Sequence, residues 1–151
     1  MRIRKFRKED AEEVSKLKIR SQREVMGGHY PPHVVDFFCR KNTPEYVLNK
    51  SKEIDLFVAV EKGKIIGVNG LKKNAVRSFY VLPGFMGKGI GRKLMENVEK
   101  LARKRNLKKL LVHSSLYAEG FYRKCGFRKL RTLHSKRGKI RFDEILMEKM
   151  L

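Results

Sequence analysis

The chain has 151 residues, 41% of them hydrophobic, and sets 37 Lys and Arg against 16 Asp and Glu for a formal net charge of +21. That length suits one continuous core and is too short for two ordinary ones, so residues 1–151 are expected to form a single domain. Apolar runs such as residues 56–60 and 110–112 are far too short to cross a bilayer, and the first residues turn charged at once. A soluble cytoplasmic protein with no membrane partner is expected.

Residues 3–6 read as a short strand. Residues 9–25 read as a helix, with Ala11, Val14, Leu17 and Ser21 on one face and Glu9, Asp10, Glu12 and Glu13 suited to the positive end of the helix dipole. Gly27-Gly28 stops it, His29-Tyr30-Pro31-Pro32 reads as a loop, and a short helix follows at 33–40, with residues 44–50 open to a further short helix. From residue 54 the pattern changes. Residues 56–61 and 64–70 are rich in Val and Ile and are joined by Lys62-Gly63, the composition of a tight hairpin, and residues 76–82 form a third strand. Residues 88–105 predict a long amphipathic helix whose stripe is Ile90, Leu94, Val98, Leu101 and Ala102. A strand at 107–113, a helix at 115–124 and a hairpin of 127–134 with 139–148, turning at Arg137-Gly138, complete the chain. The order β-α-α-β-β-β-α-β-α-β-β predicts a mixed α/β (α+β) domain with a partly antiparallel central sheet.

The positive charge is unevenly placed. Residues 72–142 hold 21 basic residues against three acidic ones, Glu96, Glu99 and Glu119. Such a field attracts a polyphosphate ligand, an acidic protein or nucleic acid. Few aromatic residues interleave with these charges, so a nucleic-acid partner is possible but not favoured. The two cysteines, Cys39 and Cys125, lie far apart and read as reduced, buried thiols. His29, His33, His113 and His134 are scattered. Only His29 and His33 have helical spacing, and Pro31-Pro32 interrupts it, so no metal site is expected.

The densest information lies in Val81-Leu82-Pro83-Gly84-Phe85-Met86-Gly87-Lys88-Gly89-Ile90-Gly91-Arg92, where an apolar strand enters a glycine-rich turn and then a helix. A helix N-terminus of this kind presents bare backbone N–H groups to an anion. The spacing Gly87-x-Gly89-x-Gly91 is not that of a dinucleotide fingerprint, and no G-K-[ST] ending marks a nucleotide P-loop. A different phosphate-bearing ligand is implied.

A second motif, Gly120-Phe121-Tyr122-Arg123-Lys124-Cys125-Gly126-Phe127, follows the next strand. With both motifs in this order the chain resembles the GCN5-related N-acetyltransferase (GNAT) superfamily nearly end to end. Met86-Gly87-Lys88-Gly89-Ile90-Gly91 is similar to that family's Q/R-x-x-G-x-G/A pyrophosphate loop, and the second motif to its G/A-F-Y-x-K-x-G-F helix. The resemblance implies the acyl-CoA N-acyltransferase fold, acetyl-CoA as cofactor, and N-acetylation of a primary amine, on a small molecule or peptide, by direct attack in a ternary complex. It implies cofactor contacts from Phe79, Val81, Met86, Gly87, Lys88, Gly89, Ile90, Gly91, Arg92, Ser115 and Tyr117, with the pantetheine arm between strands at 79–82 and 111–114. It also implies an oxyanion donor at a backbone N–H near Val81 and Tyr122 as general acid to the leaving sulfur.

Two positions depart from the family pattern: Met86 replaces the usual glutamine or arginine, and Tyr117 a frequent asparagine. The strand at 74–81 also lacks the carboxylate that many members place there as general base. Glu24, Asp36 or Glu61 acting through a water are candidates, as is the absence of any dedicated base. The acceptor site is expected between the first two helices and the 27–33 loop, with His29, Tyr30 and Phe37 facing it. Rival readings are a catalytically inactive polyanion-binding module, or a CoA-binding regulatory protein, on the same fold. Either a monomer or a homodimer is compatible with the sequence.

Overall fold

The structure is a computed structural model and describes residues 1–151. In chain order its elements are β1 (Arg2–Lys5), α1 (Ala11–Glu24), α2 (Pro32–Lys41), α3 (Pro44–Ser51), β2 (Asp55–Glu61), β3 (Lys64–Lys72), β4 (Ala75–Val81), α4 (Ile90–Lys104), β5 (Lys109–Ser114), α5 (Glu119–Lys124), β6 (Arg128–Arg137) and β7 (Ile140–Met150). The strands form one mixed sheet in the order β1-β2-β3-β4-β5-β7-β6. Every neighbouring pair is antiparallel except β4 and β5, which run parallel. No helix is long and apolar enough to cross a membrane.

Helices cover both faces. Val14 and Leu17 of α1 and Val47 of α3 pack on Leu56, Val58 and Val68 on one side. Across the sheet, α4 buries Ile90 and Leu94 against Ala59 and Ile66, and Met95, Val98 and Ala102 against Val76, Leu110, Val112 and Met147. Each of the Val, Leu, Ile and Met side chains contributes about 1.5–3 kcal/mol when fully buried, so the α4 stripe read from sequence anchors the centre of the sheet.

Three boundaries differ from expectation, each for a local reason. The first helix is preceded by a 3-10 turn, Lys8–Asp10, because the Asp10 carboxylate turns back to accept from the Arg7 N–H at 2.7 Å and from the Arg4 guanidinium at 2.8 Å. The strand expected at 107–113 is Lys109–Ser114, because Asn106 adopts φ +60° and the Leu107 N–H returns to the Ala102 carbonyl at 3.0 Å, closing α4. The helix expected from 115 begins at Glu119. Ser115 to Ala118 forms a turn, closed by the Ala118 N–H on the Ser115 carbonyl at 3.2 Å, and the Ser114 hydroxyl donates to the Ser115 carbonyl at 2.7 Å.

The feature that creates a site is in β4. Val68 faces Tyr80 and Gly70 faces Arg77, so β4 carries one more residue than β3 across that interval. The extra residue is accommodated at Ser78, whose φ is +52°. Such a bulge bends its strand and raises the local twist. Consistent with that bend, β4 pairs with β5 only at Ala75↔Leu111 and Val76↔Val112, and the strands part beyond.

Candidate active site

The parting of β4 and β5 leaves a gap bordered by Phe79 and Tyr80 on one strand, Val112 and His113 on the other, and Ser115, Tyr117 and Tyr122 at its end. A cleft of about 190 Å³ shares this edge and is lined by Phe79, Val81, Met86, Gly87, Gly91, Tyr117, Phe121 and Tyr122, with Ser21 and Val25 of α1 closing one side. Of the residues expected at a cofactor site, Phe79, Val81, Met86, Gly87, Gly91 and Tyr117 therefore meet in one cleft, together with Tyr122. Ser115 lies in the gap beside them.

The glycine turn ends at the N-terminus of α4. The first N–H to close a bond into the helix is that of Lys93, on the Gly89 carbonyl at 3.1 Å, and the N–H groups of Gly87 through Arg92 have no backbone acceptor. Gly87 at φ +77° and Gly89 at φ +82° supply the left-handed backbone that turns these groups outward, a conformation costing about 1–2 kcal/mol for a residue with a Cβ. Gly91 serves packing, since an added Cβ would lie 3.0 Å from the Phe121 ring. No acidic side chain occupies the first turn. Lys88 sits 5.2 Å over the Phe85 ring, and Arg92 donates to the Lys124 carbonyl at 3.3 Å, so both add positive charge at the rim. Ile90 offers only its N–H, its side chain being buried under the sheet. Unpaired donors, a positive dipole end and no competing carboxylate suit an extended anion such as a diphosphate.

Tyr122 is held edge-on by Phe79, Phe121 and Phe127 at ring-centroid distances of 6.0, 5.3 and 5.6 Å. Burial drives its hydroxyl well above the ordinary tyrosine range, with Tyr80 and Tyr117 adding to the shift, so it stays protonated throughout physiological pH. The same burial raises Tyr80, although Gln22 donates to its hydroxyl at 3.1 Å, and raises Tyr117 against an opposing hydrogen bond with Ser115.

On the α1–α2 side of the gap lies a second hollow of about 170 Å³, walled by Met26, Tyr30, Phe38, Tyr80, Tyr117 and Phe142 and holding His113, Arg137 and Glu144. Tyr30, one of the residues expected to face an acceptor, fastens this wall: its hydroxyl donates to the Asp143 carbonyl at 2.9 Å and accepts from the Leu116 N–H at 3.0 Å. His29 packs its ring 5.3 Å from Tyr117. Phe37 does not reach the hollow and borders a separate one with His33 and Asp36.

None of the carboxylates considered from sequence lies at the gap. Glu24 pairs with Arg20 at 3.1 Å, Asp36 with Arg23 at 3.1 Å, and Glu61 with the N-terminal amine at 3.9 Å. The carboxylate that does reach the hollow is Glu144, 3.0 Å from His113 Nδ1 and 2.8 Å from the Ser135 hydroxyl. Burial works to raise this carboxyl, but the hydrogen bonds from His113 and Ser135 outweigh it and hold Glu144 below the ordinary carboxylate range. These partners are joined only by sheet register. His113 pairs with Leu146, and Glu144 is its diagonal neighbour two residues along β7.

With this geometry in view, comparison with known proteins is informative. Residues 30–149 match the family described as Acetyltransferase (GNAT) domain. No curated protein matches the chain in sequence. Among solved structures, a GCN5-related N-acetyltransferase from Rhodopseudomonas palustris superposes with a TM-score of 0.94 at 21% identity, over 99% of this chain and 95% of its own. The PaiA N-acetyltransferase from Thermoplasma acidophilum, in complex with coenzyme A, gives 0.81 at 25% identity over 99% and 98%. A GNAT acetyltransferase from Elizabethkingia anophelis with acetyl-CoA bound gives 0.59 at 23% identity over 71% and 82%. The chain belongs to the GNAT acetyltransferase family and has its acyl-CoA N-acyltransferase fold. It is accordingly an acetyl-CoA-dependent N-acetyltransferase.

Proposed function

We propose that the protein moves an acetyl group from acetyl-CoA directly to a primary amine while both substrates are bound, with the donor in the cleft beside α4 and the acceptor in the hollow between α1–α2 and β5–β7. Bound acetyl-CoA supplies a thioester whose carbonyl carbon accepts the amine and whose thiolate departs. The N–H groups of Gly87 to Arg92 hold the diphosphate, with Lys88 and Arg92 supplying charge. Phe79 and Val81 flank the pantetheine arm as it threads between the parted strands, and a backbone N–H near Val81 serves the developing oxyanion. Tyr122, kept protonated by burial, donates a hydrogen bond to the departing sulfur.

The observation that carries this reading is the coincidence at one gap of three independent features: the unpaired N–H groups, the end of the β4–β5 pairing, and the Tyr122 hydroxyl. The test is thiol release from acetyl-CoA, with purified protein and a panel of 2-phenylethylamine, spermidine, an aminoglycoside, free amino acids and a lysine peptide. Amine-dependent thiol release with a matching acetylated product is expected. Tight acetyl-CoA binding without turnover of any amine would instead support a regulatory CoA-binding role.

A further inference from the structure

We propose that His113, oriented by Glu144, is the general base that takes the proton from the acceptor amine. This rests on the reading above, in which the acceptor enters from the α1–α2 side.

The placement follows from strand alternation. Along β5, Leu110 and Val112 turn into the core beneath α4, so Leu111 and His113 point to the opposite face. That face carries the hollow, whereas Tyr122 packs with the α4-side core. His113 and Tyr122 nevertheless border the same gap. A base on one face and a hydrogen-bond donor on the other match an addition in which the amine arrives from one side of the thioester and sulfur leaves toward the other.

The Glu144 contact decides which imidazole nitrogen is free. An ionised carboxylate 3.0 Å from Nδ1 accepts the ring proton there, leaving the Nε2 lone pair directed away from Glu144. The Ser135 hydroxyl, donating to the same carboxylate oxygen at 2.8 Å, and β7 itself hold Glu144 in place. This is the general pattern of a base oriented by a third group. The other charged groups facing the pair are Arg137 from β6 and Arg77 from β4, and the remaining titratable ones are Tyr30, Tyr80, Tyr117 and Tyr122. No second carboxylate competes for the imidazole.

The protons balance without a further reactant. The acceptor ammonium carries three. One passes to His113 Nε2 and on to water as the nitrogen adds to the thioester carbonyl and forms the C–N bond; the C–S bond then breaks as the oxyanion collapses, one proton ends on the sulfur of the released thiol, and one stays on the amide.

The experiment compares wild type, His113→Gln, Glu144→Gln and Glu144→Asp, using the panel amine that wild type turns over fastest. Acetyl-CoA affinity, measured by calorimetry, should be the same for all four proteins. At pH 7, kcat/KM of H113Q should fall about 100-fold, the lower end for general-base catalysis. The deficit should close toward pH 10, where the amine loses its proton unaided. E144Q should fall about tenfold or more and E144D should recover part of the loss. Independently of activity, nitrogen chemical shifts of the imidazole should report the Nδ1–H tautomer in wild type and its loss in E144Q. An H113Q profile that parallels wild type within threefold across pH 6–10, or an Nε2–H tautomer in wild type, overturns the assignment while leaving acetyl transfer intact. Wild type inactive toward every panel amine overturns the proposed function, and this assignment with it.

Discussion

Replacing Tyr122 by Phe separates chemistry from packing unusually well. The ring stays, with its edge-on contacts to Phe79, Phe121 and Phe127 at 5.3–6.0 Å, and only the hydroxyl is lost. That hydroxyl has no hydrogen-bond partner within the protein, so its removal leaves no orphaned group and changes stability by about 1 kcal/mol or less. Tyr122→Ala would remove the whole ring from a buried cluster and cost about 3–5 kcal/mol. The catalytic effect is of a different size. A preorganised hydrogen-bond donor at a developing charge is worth about 100-fold or more, or roughly 2.7 kcal/mol of barrier. Y122F is therefore expected to lower kcat about 100-fold with the acetyl-CoA dissociation constant within twofold of wild type and Tm nearly unchanged. Thiol release under saturating acetyl-CoA, calorimetry and thermal melting read the three quantities separately. Because burial raises the Tyr122 pKa, the wild-type rate should also show no alkaline loss near pH 10, where an ordinary tyrosine ionises. A Y122F enzyme with kcat within twofold of wild type would refute the role of the hydroxyl.

Other outcomes follow from the same structure. Gly89→Ala places a Cβ on backbone at φ +82° in open space, so it should cost about 1–2 kcal/mol of stability from strain and weaken coenzyme A by tenfold or more; unchanged affinity by calorimetry would contradict the cradle. Gly70→Ala should destabilise by about 1–3 kcal/mol in denaturant melts without touching the cleft, because its Cβ would meet Ile54 at 2.6 Å and the Asp55 carbonyl at 2.9 Å. Lys18 is buried without a carboxylate, its ammonium 5.6 and 5.5 Å from the Tyr46 and Tyr80 ring centroids. Desolvation, with repulsion from Lys41 and Lys50, lowers its pKa to about 8. In the unfolded chain the amine binds its proton up to about pH 10.4. The unfolded state therefore holds more protons between those values, and stability rises with pH there. Lys18→Met should stabilise by about 2 kcal/mol at pH 7, a gain that shrinks above pH 8 and vanishes near pH 10.5 in urea titrations.

The parts of the site legible in the sequence were those made by local chain chemistry. Gly87 and Gly89 announce a turn because few other residues accept φ near +80°, and the α4 stripe announces itself through its period. The family motif singles out Tyr122, and that residue lines the cleft. What stayed hidden depends on pairing between distant strands. Ser78 at φ +52° gives no compositional sign of the bulge beside the gap. His113 looked like one of four scattered histidines, and Glu144 like an ordinary strand residue, until β5–β7 register set them diagonally across from one another. The carboxylates named from sequence as candidate bases, Glu24, Asp36 and Glu61, instead form exposed ion pairs away from the gap, and such pairs carry little energy.

In the proposed complex the N–H groups from Gly87 to Arg92 grip the diphosphate of coenzyme A at the opened edge of β4. Amide chemical shifts of uniformly nitrogen-labelled protein, followed as coenzyme A is added, test it most directly. Large downfield shifts are expected at Gly87–Arg92, smaller ones at Phe79–Val81 and around Tyr117–Tyr122, and quiet amides on β1 and α3. Saturable binding that leaves the 87–92 amides unmoved would contradict it.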